Sequence, residues 1–229
     1  MVDLIISNRK NLVTQDNELI SASYSLSLNE KRLIILAFSK INPMLDFWKG
    51  DGLVSITASE FSEVFNVDMK NAYNFIKSAQ DSLSERWVRL EGDYKNGKEI
   101  RWLDGKEYSS NEGMITMGFS SRMLKSISGM SEFFTSYKLL AVSRLKSTYS
   151  IRIYELTQQF KSTGWRLIQL DELRNLLRVG YPDWRDLKKR VIDPACKELN
   201  EKSDIHISYE IIKKGRTIVA VKLLTKAKK

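Results

Sequence analysis

"GLVSITASEFSEVFNVD", residues 52–68, and "GWRLIQLDELRNLLRVG", residues 164–180, carry one pattern twice, 112 positions apart. Gly52 matches Gly164, Glu60 matches Glu172, and Phe61, Val64 and Phe65 match Leu173, Leu176 and Leu177. Each copy reads as a short alternating strand running into a short helix. In the first, Thr57 stands three residues before Glu60, the spacing of a capping box.

The flanks repeat as well. Before the first copy, Ser27 and Glu30 form another capping box, and Leu33, Leu36, Ala37 and Ile41 share one face of a helix predicted over 28–41. Before the second, Tyr149, Ile153, Leu156 and Phe160 share one face of a helix over 147–161. After the first copy and a turn, Ala72, Ile76, Ala79 and Leu83 mark a helix over 69–85. After the second, in "YPDWRDLKKRVIDPACKELN" (181–200), Trp184, Leu187, Val191, Ala195 and Leu199 fall at the same period. Strands then follow. "RWVRLEG", "KEIRWLD" and "MITMGFS" have β-type composition with Gly-containing turns between them, and "IHISYEIIKKGRTIVAVKLL" is a hairpin turning at "KKGR". Helix, strand, helix, helix and hairpin in that order, twice, predict an α+β fold of two tandem winged-helix domains. We divide them as 1–130 and 131–229.

The charge divides with them. The chain of 229 residues has a formal net charge of +9, yet residues 1–130 carry 16 Lys+Arg against 17 Asp+Glu, while 131–229 carry 21 against 11. A basic half points to a polyanion, with DNA or RNA ahead of an anionic membrane because no wide apolar face with Trp anchors accompanies it. On the 181–200 helix, Arg185, Lys189, Arg190 and Asp193 project away from the apolar stripe and Lys188 lies at its margin. Cations near a helix N-terminus oppose the macrodipole at about 0.3 to 1 kcal/mol each. A solvated face is one reading of them; phosphates or guanine edges would offset the cost, and the second helix of such a pair is the one that enters a major groove. Pro194 predicts a kink, either to let the first half lie in the groove or as a purely structural bend. Lys213, Lys214 and Arg216 crowd the hairpin tip, where phosphate contact and simple exposure fit equally.

Catalytic chemistry is not indicated. "GDYKNGK" (92–98) fits the spacing of a phosphate-binding loop, but Glu99 replaces the hydroxyl and a strand follows where a helix is needed. One histidine, His206, predicted at a strand surface, and one cysteine, Cys196, predicted as core filler, leave no usual zinc site, no disulfide and no paired nucleophile and base. Scattered acidic residues form no magnesium motif. No cofactor is expected. The lone cysteine suits a reducing cytoplasm, and neither a leader nor a membrane span is predicted.

"DNELISASYSLSLNEKRLIILAF" (16–38), "FTSYKLLAVSRLKSTYSIRIYELTQQFKSTG" (134–164) and, most specifically, "LKKRVIDPACKELNEKSDIHISYEIIKKGR" (187–216) resemble the replication initiators of iteron-bearing, theta-replicating plasmids and related small circular DNAs. The resemblance implies a pseudo-twofold pair of winged helices and no enzymatic activity. It implies that monomers bind direct repeats of double-stranded DNA at the origin, and that dimers joined through the first domain repress the initiator's own promoter at an inverted repeat. A host initiator ATPase, the replicative helicase and chaperones are the implied partners. Carried over to this sequence, the second domain reads DNA with Arg185, Lys188, Lys189 and Arg190 and with Lys213, Lys214 and Arg216 on its wing. The first contributes Lys70, Asn71, Asn74 and Lys77. A duplicated winged-helix transcriptional regulator with no role in replication is the alternative.

Overall fold

The computed structural model describes residues 11–41, 52–90, 99–127 and 133–228. "GDYKNGK" therefore lies outside the described residues. The chain opens with β1 (Leu12–Asp16), α1 (Asn17–Ser21) and α2 (Leu28–Lys40). The first repeat unit continues as β2 (Leu53–Thr57), α3 (Ala58–Phe65), α4 (Met69–Leu83), β3 (Trp87–Arg89), β4 (Glu99–Arg101), β5 (Leu103–Ser109) and β6 (Met114–Phe119). A connector of α5 (Ser121–Lys125), β7 (Phe134–Lys138) and α6 (Leu139–Ser143) leads to α7 (Thr148–Gln158). The second unit is β8 (Trp165–Gln169), α8 (Leu170–Leu177), α9 (Trp184–Leu187), a π-helical turn (Lys188–Ile192), α10 (Asp193–Lys202), β9 (Ile205–Lys214) and β10 (Thr217–Ala227).

The two copies quoted above become β2–α3 and β8–α8, and their sheets have the same antiparallel order, β2-β6-β5 and β8-β10-β9. Each unit is a winged helix whose wing is the β5–β6 or β9–β10 hairpin. The duplication reaches the backbone. Gly52 (φ +67°) and Gly164 (φ +75°) open both copies, and Asn66 (φ 51°) and Arg178 (φ 52°) close both short helices in the left-handed conformation. Both predicted capping boxes form: Ser27 and Glu30 at α2, Thr57 and Glu60 at α3.

Three details depart from the sequence reading. "KEIRWLD" is two strands, broken at Trp102, which is buried against Tyr24 (ring centroids 5.2 Å, edge-on) and Phe38 (6.5 Å). Burying so large a ring takes residue 102 out of the ladder, and the polar "GKEYS" that follows pairs with β6 as the outer strand of the first wing. Phe160 lies just past the end of α7 and is 37% exposed, with the Arg166 guanidinium 5.0 Å above its ring, so it is not core. Finally, α2 is buried on every face, including Glu30, Lys31 and Arg32, where one apolar face was expected.

That burial has a partner. Glu155 on α7 accepts from Lys31 Nζ (2.8 Å), Arg152 Nη1 (3.2 Å), Gln15 Nε2 (2.9 Å) and Tyr137 Oη (2.6 Å). Gln15 is on β1 and Tyr137 on β7, strands that pair antiparallel although they come from opposite ends of the first 140 residues. Arg152 also donates to the carbonyls of Ile20 and Ala22. One contiguous apolar cluster, from Val13 to Leu223, surrounds this polar knot and joins the two units.

Candidate nucleic-acid interface

In the second unit Asp183 N-caps α9, its carboxylate accepting from the Arg185 amide at 2.8 Å, and Asp186 sits in the first turn. These two acids offset the unfavourable placement of cations at a helix start. Leu187, Val191, Ile192, Ala195 and Leu199 are buried, while Arg185, Lys189 and Arg190 are exposed, so the segment has the cationic outer face its sequence predicts. Arg190 leans on Asp186 (3.4 Å) and lies 5.7 Å from the Tyr181 ring. Lys189 has no ion pair among the described residues.

At Pro194 the segment makes a π turn where a simple kink was expected. The Asp193 amide donates to the Lys188 carbonyl, five residues back, and Pro194 follows in the first turn of α10. A proline ring clashes with the carbonyl four residues earlier in a regular α-helix, and widening the ladder by one residue relieves it. The same turn sets Lys188 on Asp193 at 2.5 Å. Lys188 is therefore committed to an intramolecular pair, as Arg190 is more loosely with Asp186, while Lys189 has no ion pair among the described residues.

The wing turns at Gly215 (φ +63°) and Arg216, a two-residue loop led by glycine. Lys213, Lys214 and Arg216 are all exposed at this tip. Arg216 shares a cleft of about 600 Å³ with Asp171, Arg174, Asp183 and Trp184, so the wing tip and the start of α9 line one concave surface. In the first unit, Lys70, Asn74 and Lys77 form an exposed stripe along α4, and Asn71 is half-buried beside it. Lys70 pairs with Asp68 (3.2 Å), and Lys77 lies 5.1 Å from the ring of Tyr108 on β5. His206 is exposed on β9 and Cys196 is buried, where burial pushes its thiol up to about 12. Among the described residues no group of three His, Cys, Asp or Glu is placed to hold a metal ion, and no helix is long and apolar enough to cross a membrane.

The family pattern described as "Initiator Replication protein, WH1" matches residues 12–158, and "Initiator Rep protein, WH2" matches 169–224. The chain belongs to the initiator replication protein family. This initiator is 28% identical over 214 residues to a replication initiation protein of Escherichia coli, covering 90% of the chain and 66% of that protein. It is 26% identical over 255 residues to the PI protein of the same organism, covering 94% and 82%. Its fold is similar to that of the Pi initiator protein crystallised in complex with iteron DNA, with a TM-score of 0.82, 23% identity, and 97% and 99% of the two chains covered. The initiator family is one of DNA-binding proteins.

Sequence reasoning missed the acidic and aromatic partners of the interface. Asp81 on α4 accepts from Lys106 Nζ (2.6 Å) and from the Tyr108 hydroxyl, and Asp193 accepts from Tyr209 Oη (2.6 Å) as well as from Lys188. The signal was available in the repeat itself, because Asp81 and Asp193 are 112 residues apart, the interval of the duplication.

Proposed function

We propose that this initiator binds direct repeats at a plasmid origin as a monomer, with α9 and the π turn in the major groove and the two wings beside the backbone. One observation carries the reading: Arg185, Lys189 and Arg190 stand exposed on the helix that follows α8, opposite a buried apolar stripe and next to a cationic wing tip. That is the chemistry of guanine and phosphate recognition, since Arg and Lys pair with O6 and N7 and with phosphate oxygens. The likeness to a protein crystallised on iteron DNA supports it.

In this reading Lys213, Lys214 and Arg216 hold phosphates, and Lys70, Asn71, Asn74 and Lys77 make auxiliary contacts. Residues 131–229 supply most of the specific binding. Residues 1–130 position the molecule and form the homodimer that represses the initiator's own promoter at an inverted repeat. Host initiator ATPase, helicase and chaperones act as partners in the bacterial cytoplasm, and the chain has no catalytic activity of its own. The test is maintenance in trans. A plasmid carrying only the parent replicon's origin is expected to persist when this chain is supplied and to be lost without it. Loss in both cases, with repression of the promoter intact, would make the protein a transcriptional regulator instead.

A further inference from the structure

The two units share a polar link between recognition helix and wing. Asp193, at the start of α10, accepts from Tyr209 on β9 and from Lys188. Asp81, near the end of α4, accepts from Tyr108 and Lys106, both on β5. In each unit the tyrosine comes from the outer strand of the wing, which is held to its sheet on one side only. A lysine precedes each aspartate on its helix, Lys77 by four residues and Lys188 by five. The additional residue is the one the π turn accommodates, so that Lys188 faces Asp193 across an i to i+5 step.

Stability does not account for these links. The Asp81 and Asp193 side chains are each 44% exposed, and pairs so exposed to solvent contribute little to folding. The bonds are nevertheless formed. Hydrogen bonds from Lys106 and Tyr108 hold the Asp81 carboxyl below the usual range. Partial burial acts the other way on Asp193, but its bonds from Lys188 and Tyr209 prevail and hold it low as well. Tyr209 is further set by Trp184, the first residue of α9, whose ring meets it edge-on at 6.0 Å.

We infer that Asp81 and Asp193 are positioning residues that fix each wing against its recognition helix, so that both meet DNA as one preformed surface. This role rests on the DNA-binding reading above. A wing already fixed in the free protein loses less freedom on binding than one that swings, and preorganisation of this kind raises affinity with the same set of DNA contacts. Lys188, held on Asp193, then acts through the wing and does not need to reach a base.

The experiment uses the full chain with Tyr209→Phe, which keeps the ring on Trp184 and removes the hydroxyl. Binding to a duplex bearing one origin repeat, and to a scrambled duplex, is measured by fluorescence anisotropy across a salt series, alongside thermal melting. The expected result is roughly 3- to 10-fold weaker binding to the repeat, the range given by freeing one ordered side chain or its equivalent, with Tm unchanged. The decisive comparison repeats the substitution in a chain with Lys213, Lys214 and Arg216 all changed to Ala. There Tyr209→Phe should have no further effect, because the wing it positions no longer grips phosphate. Asp193→Asn combined with Tyr209→Phe should bind no more weakly than Asp193→Asn alone. Unchanged affinity of Tyr209→Phe, or an equal loss in the wing-alanine chain, overturns the inference while leaving the function standing. A parent chain that does not prefer the repeat overturns the function, and this role with it.

Discussion

Replacing Glu155 by glutamine removes one negative charge from the centre of the molecule and hardly changes its shape. The carboxylate is fully buried, and the cations it answers are buried with it, the Lys31 side chain 2% exposed and that of Arg152 5%. Neither can turn to water. Arg152 keeps the Ile20 and Ala22 carbonyls and the Tyr24 hydroxyl, whereas Lys31, among the described residues, is left with neutral acceptors, the Tyr24 hydroxyl at 2.9 Å and the new amide oxygen. The variant therefore strands a buried ammonium without a counter-charge, and breaking a buried pair in this way costs about 3 to 5 kcal/mol. Against a total stability on the order of 5 to 15 kcal/mol that is a large fraction. Urea unfolding at neutral pH is expected to show a lower midpoint with unchanged slope, and adding Lys31→Met should recover part of the stability by removing the stranded charge. Burial alone would raise the Glu155 carboxyl, but Lys31, Arg152 and Tyr137 hold it below the ordinary range. A depressed folded-state value means that its contribution is complete above the unfolded carboxylate value of about 4.3 and is lost as pH falls through the folded one. The gap between parent and variant should accordingly be flat from roughly pH 6 to 8 and close only in acid. A destabilisation below about 1 kcal/mol would refute the reasoning, because it would mean that water reaches the polar knot between α2, α7 and the β1–β7 pair.

Other outcomes follow from single residues. Gly52→Ala places a Cβ at positive φ and 2.7 Å from Leu124 Cδ1, and should lower stability by roughly 1 to 2 kcal/mol, read as a fall in Tm. Arg178→Gly relieves the same backbone conformation at an exposed site and should raise stability by about 0.5 to 1 kcal/mol in the same melts. Changing Lys213, Lys214 and Arg216 to Ala should weaken binding to all DNA sequences alike and flatten the dependence of log K on log salt by about 0.9 for each phosphate left unneutralised. Lys189→Ala or Arg190→Ala should cost about 1 to 3 kcal/mol on the repeat and little on scrambled DNA if the side chain reads a base; binding equal to the parent would remove that residue from the interface.

The duplicated fold was legible because its signals are local: strand and apolar period recur at one offset, and the glycines that open each copy are where the backbone needs them. The outer strand of the first wing was not, since "GKEYS" is polar and what places it lies elsewhere in the chain, in strand β6 and in Asp81 of α4. Charged Glu30, Lys31 and Arg32 look like a solvated stripe until Glu155, more than 120 residues away, is brought against Lys31. The cationic outer face carried by Arg185, Lys189 and Arg190 was read correctly as exposed, because there one side of the helix is apolar and the other charged. The acidic partners of the interface were passed over for the opposite reason: Asp81 and Asp193 are ordinary surface aspartates in sequence, and only the fold aims Tyr108 and Tyr209 at them.

The central claim is that the segment from Arg185 to Arg190 reads bases and is not merely an electrostatic footing. Its most direct test is a footprinting titration of the purified chain on the parent replicon's origin region against scrambled DNA of equal length, at two salt concentrations. Protection of evenly spaced direct repeats, with the preference surviving at the higher salt, is the predicted result. Equal and salt-fragile binding to both DNAs would contradict it.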